Sequence, residues 1–376
     1  MAYFKLSLKP GIDKQNTEYG AEGGWIDCDN VRFRYALPEK VGGWTEFQQS
    51  TSTGTFLIGM ASDSIAWRDL DGSPYLAVGT DRKLYVNYQE RYYDITPNRS
   101  ENNSLPSAFT TLSASTTVTV HDSGHGAVEG DFVTLSEVTD NPGGISNASL
   151  TGEFEIQDIT DTNSYTIIAA SAATTGSATS TYQIKVGKDV NFADFGWGVG
   201  EWNVEEWDTP RSATGTGIVL SSRIWVFDTF GEDLLCQLQD GQLFRWDTSG
   251  GVGNRASAVA GAPTKNRFAL VTNERHLVLF GTEATIASPA SQDPMFVRFS
   301  NREDIGTFTI TSENTAGDLR LTDGNKIVTA IRSRNQILIL TDTSLHGMQF
   351  IGGDFVFGLT QLGTNCGCAG SHAAVD

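Results

Sequence analysis

Cysteine, histidine, methionine and proline are all scarce in this chain. Its 376 residues include 4 Cys, 5 His, 4 Met and 10 Pro. The cysteines, Cys28, Cys236, Cys366 and Cys368, are too few and too irregular for a disulfide framework and point to synthesis in a reducing cytoplasm. Long apolar runs are missing too. No stretch reaches the roughly 18 apolar residues of a membrane span, and the opening "MAYFKLSLKPGIDKQ" lacks the apolar centre of a signal peptide. No membrane insertion is expected. Positive charge is in deficit: 26 Lys and Arg face 45 Asp and Glu, a net charge of −19. A protein that clamps nucleic acid must supply cations to displace phosphate counterions, so tight, static DNA binding is not expected. An acidic surface repels a polyanion moving past it, which suits a conduit. Helical periodicity is also nearly absent, since no stretch repeats apolar residues at i, i+3, i+4 and i+7.

Glycine and aromatics are what the chain has in quantity: 40 Gly, 20 Phe and 8 Trp. Glycines scattered without a period mean many tight turns, and many turns mean many short strands. "PYLAVGTDRKLYVNY" (74–88) reads as Tyr75–Val78, a turn, and Leu84–Val86. "DLLCQLQDGQLFRW" (233–246) reads as a hairpin about Asp240-Gly241, a pair expected to take positive φ at both positions. "RHLVLFGTEATI" (275–286) reads as a third hairpin and "KIVTAIRSRNQILILTDTSLHGMQF" (326–350) as a fourth. The fold class expected is all-β, a β-propeller-like array of antiparallel hairpins. A series of β-sandwiches would give much the same pattern.

One region departs from this. From about 106 to 185 the large aromatics give way to Thr, Ser and Ala, with alternating strands at Val118–Val120, Phe132–Leu135, Phe154–Ile156 and Tyr165–Ile168. Gly124, Gly126 and Gly130 are placed in its connecting turns. The composition shifts at both ends, so the expected organisation is a first propeller part over 1–105, an inserted small β-barrel-like domain over 106–185, and the propeller continued over 186–376. After the insert, "FGWGVGEWNVEEWDTPRS" (195–212) sets Trp197, Trp202 and Trp207 five apart. That spacing fits neither helix nor strand, and loop aromatics of this kind seat partner surfaces or cap sheet edges.

"WIDCDNVRFRYALPEKVGGW" (25–44) resembles the N-terminal segment of tail nozzle (tail tubular protein B-like) structural proteins of short-tailed bacteriophages. The resemblance rests on Asn30, Val31, Phe33, Arg34, Leu37, Pro38, Glu39, Lys40, Gly42, Gly43 and Trp44. "HGAVEGDFVTL" with "GEFEIQDITDTNSYTI", and the tryptophan-rich return, look like further parts of such proteins. The resemblance implies a propeller-bearing hexamer in the virion tail, coaxial with the portal. It would contact the tail adaptor and tail fibres or other tail components, and double-stranded DNA would pass through it during ejection. Phe33, Arg34, Trp44, Trp197, Trp202 and Trp207 are the interface candidates. "GTNCGCAGSHAAVD" reads as a turn followed by a new strand, so a fragment or a shortened member is expected.

Constellations that carry chemistry are weak. His121 and His125 in "HDSGHG" have a spacing a metal could use, but no nearby Cys or carboxylate cluster completes a site, and solvated turn histidines are expected. Cys366 and Cys368 in "NCGCAG" are read as small buried thiols beside Gly turns. Asp27, Asp29, Asp69 and Asp71 echo calcium-loop spacing without the closing Glu, and read as turn formers. Glu205, Glu206 and Asp208 beside Trp202 and Trp207 keep open the alternative of a carbohydrate-binding or carbohydrate-cleaving propeller. Adjacent residues of a strand point to opposite faces, however, so Glu205 and Glu206 would not pair. No nucleophile elbow, phosphate loop or zinc signature is present. No enzyme, cofactor or metal is therefore expected.

Overall fold

Alternation of apolar and polar residues between turn formers builds strands, and the computed structural model consists almost wholly of them. It describes residues 9–35, 37–42, 57–59, 61–98, 100–102, 109–127, 130–176, 183–186, 224–353 and 355–375. The chain divides into two compact units, 1–50 and 51–376. In the first, β1 (Val31–Arg34) and β2 (Leu37–Lys40) form a two-stranded antiparallel hairpin, with Phe33 opposite Pro38.

In the second unit, four sheets are simple meanders, each strand paired with the next in sequence. The first is β3 (Ala61–Arg68), β4 (Pro74–Thr80), β5 (Leu84–Tyr88) and β6 (Arg91–Asp94). Between it and the second meander lie eight strands of the insert. These are β7 (Ser100–Asn102), β8 (Phe109–Thr111), β9 (Thr117–His121) and β10 (Phe132–Ser136). They continue with β11 (Gly152–Glu155), β12 (Asp158–Asp161), β13 (Ser164–Ile168) and β14 (Gln183–Val186). The second meander is β15 (Trp225–Phe230), β16 (Asp233–Leu238), β17 (Leu243–Trp246) and β18 (Ser257–Ala258). The third is β19 (Phe268–Val271), β20 (Leu277–Phe280), β21 (Phe296–Phe299) and β22 (Gly317–Arg320). The fourth is β23 (Ile327–Arg332), β24 (Ile337–Thr341), β25 (Ser344–Phe350) and β26 (Phe357–Thr364).

This is blade connectivity, and burial explains why the blades stack. Each exposes one apolar face to the next, and the hydrophobic effect closes the pairs. Tyr75, Leu84 and Val86 of blade 1 pack with Trp225, Leu234 and Trp246 of blade 2. Leu235 and Leu243 of blade 2 pack with Val271 and Leu279 of blade 3. Val278 and Phe280 of blade 3 pack with Ile327, Ile339 and Met348 of blade 4. The first strands β3, β15, β19 and β23 lie side by side in that order.

The insert is two open four-stranded sheets, in the orders β11-β10-β14-β7 and β12-β13-β9-β8. They share one apolar core that includes Phe109, Val118, Val120, Val133, Leu135, Tyr165 and Ile167. The expected small barrel is thus a two-sheet sandwich. Gly124, Gly126 and Gly130 all sit at positive φ in its turns, as placed from the sequence.

Two hairpins differ from their sequence reading. At 238–243 only Asp240 is left-handed (φ 59), because the turn is held by Gly241 N–H donating to the Leu238 carbonyl. The hairpin expected over 275–286 has only its first strand, since 283–286 is not a strand. Glu283 is fully buried and accepts hydrogen bonds from the Thr264, Lys265 and Ser288 amides, at 3.0, 3.0 and 3.1 Å, and from the Thr264 hydroxyl. Folding the carboxylate inward to satisfy those donors leaves the segment only an isolated bridge between Glu283 and Gln292, and β20 pairs with β19 and β21 instead.

Candidate functional site: charged seams between the blades and at the insert

Polar side chains that remain inside the blade stack must find partners there, and they do so across blade boundaries. Trp225 donates its indole N–H to the Thr80 carbonyl at 2.7 Å, and Trp67 donates to the Glu232 carbonyl at 2.9 Å, tying blade 1 to blade 2. Asp228 on β15 accepts the Val271 amide of β19 at 2.6 Å. Its other oxygen meets the Arg332 guanidinium of β23 at 2.6 Å, and Arg332 also donates to the Val271 carbonyl at 3.1 Å. One carboxylate and one guanidinium therefore join three blades at their first strands. Burial pushes the Asp228 carboxyl above its ordinary range, and Arg332 and the Val271 and Thr229 amides offset this only in part.

A second charged cluster lies between the insert and blades 1 and 2. Asp94, the last residue of β6, pairs with Lys83 at 3.2 Å and with both Arg255 nitrogens at 3.1 and 3.2 Å. Thr96 adds a hydroxyl hydrogen bond at 2.6 Å. Burial pushes the Asp94 carboxyl up, but Arg255, Lys83 and the Thr96 hydrogen bonds outweigh it and hold it below the usual carboxylate range. Glu153 of the insert pairs with Lys83 and lies 3.7 Å from Arg255. Both arrangements are suited to fixing sheets together. Asp228 and Asp94 each face a cation and backbone amides, and Glu153 faces two cations.

The residues singled out in the sequence fall elsewhere. Trp44, Trp197, Trp202 and Trp207 lie outside the described residues, as do Glu205, Glu206 and Asp208. Phe33 is half-buried, its ring 6.2 Å from that of Trp25, while Arg34 is exposed with its guanidinium 5.4 Å over the Tyr35 ring. His121 and His125 share no ligand position. His121 reaches the Thr110 and Ser164 hydroxyls at 2.8 and 2.9 Å. His125 is buried, contrary to the solvated turn expected, because its ring stands edge-on to Tyr165 and its Nδ1 accepts the Ala127 amide at 2.9 Å. Cys366 is exposed and Cys368 half-buried, also contrary to expectation; their amides donate to the Thr343 and Thr341 carbonyls, and the Cys368 thiol reaches the Gly370 carbonyl at 3.2 Å. Asp69 accepts the Ser73 amide at 2.7 Å, the turn role assigned to it.

Among the described residues no group of three or more His, Cys, Asp or Glu is placed to hold a metal. No helix among them is long and apolar enough to cross a membrane. Sequence reading missed the two charged seams. Arg255 and Asp94 are 161 residues apart, and the only local signal was a charged pair, Arg82-Lys83, abutting a buried strand.

No protein-family model and no curated protein matches the chain. Among solved structures it is similar to a phage phi92 endosialidase, at a TM-score of 0.22 and 14% identity, over 79% of this chain and 41% of that one. The chain spans less than half of that neighbour's length, and a likeness this slight supports no conclusion about activity.

Proposed function

We propose that the chain is a virion structural protein of a short-tailed phage, a wall element of the tail nozzle that contains genomic DNA and conducts it during ejection. The observation that carries this reading is a surplus of acids, net charge −19, on a stack of meander sheets in which ion pairs such as Arg332–Asp228 and Arg255–Asp94 join one sheet to the next. The resemblance of residues 30–44 to nozzle proteins supports it independently. A wall needs stiffness, which the inter-blade ion pairs and hydrogen bonds supply, and an inner surface that does not hold phosphate, which an acid surplus favours. In this reading copies of the chain close a six-membered ring between the tail adaptor and the distal tail components.

Electron microscopy of the purified chain or of tail particles tests it. Six-fold rings with a central opening are expected. Monomers with a closed central pocket, together with glycan binding that is lost in Trp202→Ala, would replace the conduit with a carbohydrate-binding propeller.

A further inference from the structure

The insert and the blades do not share an apolar core among the described residues. The insert's core draws on its own strands, β8 to β13, and that of blades 1 and 2 draws on theirs. What joins them is charge. Lys83, immediately before β5, is only 5% exposed, and its ammonium meets Asp94 of its own blade and Glu153 on β11 of the insert. The same ammonium lies 4.3 Å over the Phe132 ring on β10. Arg82 pairs with Glu155 at 2.8 Å and donates to the Gly130 carbonyl at 3.0 Å. Arg255 of blade 2 completes the cluster beside Asp94 and Glu153. The cations come from the blades, and two of the three carboxylates come from the insert.

We propose that the insert is a latched arm, docked on blades 1 and 2 through this charge cluster and able to detach as an intact folded body. An interface of apolar side chains separates only at the cost of exposing them to water. Charged partners recover their hydration when they part, which repays much of the attraction lost. Undocking therefore costs less than melting either core, and it is a sub-global opening of the kind amide exchange resolves. The latch is independent of the nozzle reading, because it depends on contacts within one chain.

Hydrogen exchange on the full chain tests it. In a Glu153→Gln, Glu155→Gln variant, amides at 82–84, 94–96 and 130–132 should exchange about tenfold faster than in the parent. Those of Thr117–His121, Ser164–Ile168 and Asp233–Leu238 should keep their protection. The more exposed pair, Arg82 with Glu155, gives a second reading that keeps the Lys83–Glu153 contact. Arg82→Glu or Glu155→Arg alone should speed exchange at the same junction, and the two together should restore it. Unchanged junction exchange in both single variants, failure of the exchanged pair to restore it, or simultaneous loss of protection at Ser164–Ile168 would overturn the proposal.

Discussion

His276 shows what a single buried side chain determines in this fold. It is fully buried between blades 3 and 4, its ring 5.3 Å from that of Phe357 and 6.3 Å from that of Phe299. Nδ1 donates to the Ser300 carbonyl at 2.8 Å, which leaves Nε2 as a bare acceptor with no hydrogen-bond partner. Protonating Nε2 would place an unpaired N–H and a charge among phenylalanines. Burial accordingly lowers the His276 pKa below 6.5, and the Ser300 hydrogen bond and Glu274 oppose this while Arg302 reinforces it. The unfolded chain thus binds a proton that the folded chain refuses. The stability this residue contributes is present above pH 6.5 and is lost as pH falls. His276→Phe should flatten the decline in denaturant midpoint between neutral pH and about pH 5. An unchanged slope would show that the ring is hydrated.

At the scale of the element, close approach of strands decides what the blades tolerate. Gly79 on β4 has ordinary backbone angles, but a Cβ added there would overlap the Trp225 ring of the neighbouring blade. The glycine is needed for space, so that Trp225 can lie flat and reach the Thr80 carbonyl. Gly79→Ala should cost about 1–3 kcal/mol by overpacking, read from urea unfolding. A red shift of tryptophan emission should accompany it as Trp225 is displaced; full stability with unshifted emission would contradict this packing. Much at this scale was legible in advance. The strands at 74–88, 233–246 and 326–350 formed where alternation and turn residues placed them. The segment 283–286 was not legible, because a Glu between small residues reads as a solvent-facing strand position. Its burial depends on three amides supplied by a loop nearly twenty residues earlier and a turn just after it.

At the scale of the whole molecule, charge and fold act together. With 45 acids against 26 bases, and several of the bases among the described residues paired with carboxylates between or within sheets, the balance of charge disfavours phosphate. Duplex DNA should therefore run unshifted with the purified chain in a mobility assay at ionic strength of about 0.1 M. A retained complex at that salt would mean that the described ion pairs open to release their cations, and would count against a passive wall.

By itself the sequence determined that this protein is built from antiparallel strands, that a differently composed β region interrupts the series, and that acids outnumber bases. Each of these is a local or summed property: the period of apolar residues, the turn chemistry, the count of charges. Only the tertiary structure decided which charges meet. Asp228 with Arg332, Asp94 with Arg255, and Lys83 with Glu153 are joined across separate sheets. Such pairs depend on apolar faces that bring separate sheets together and keep water from around them, and one-dimensional spacing does not encode that arrangement.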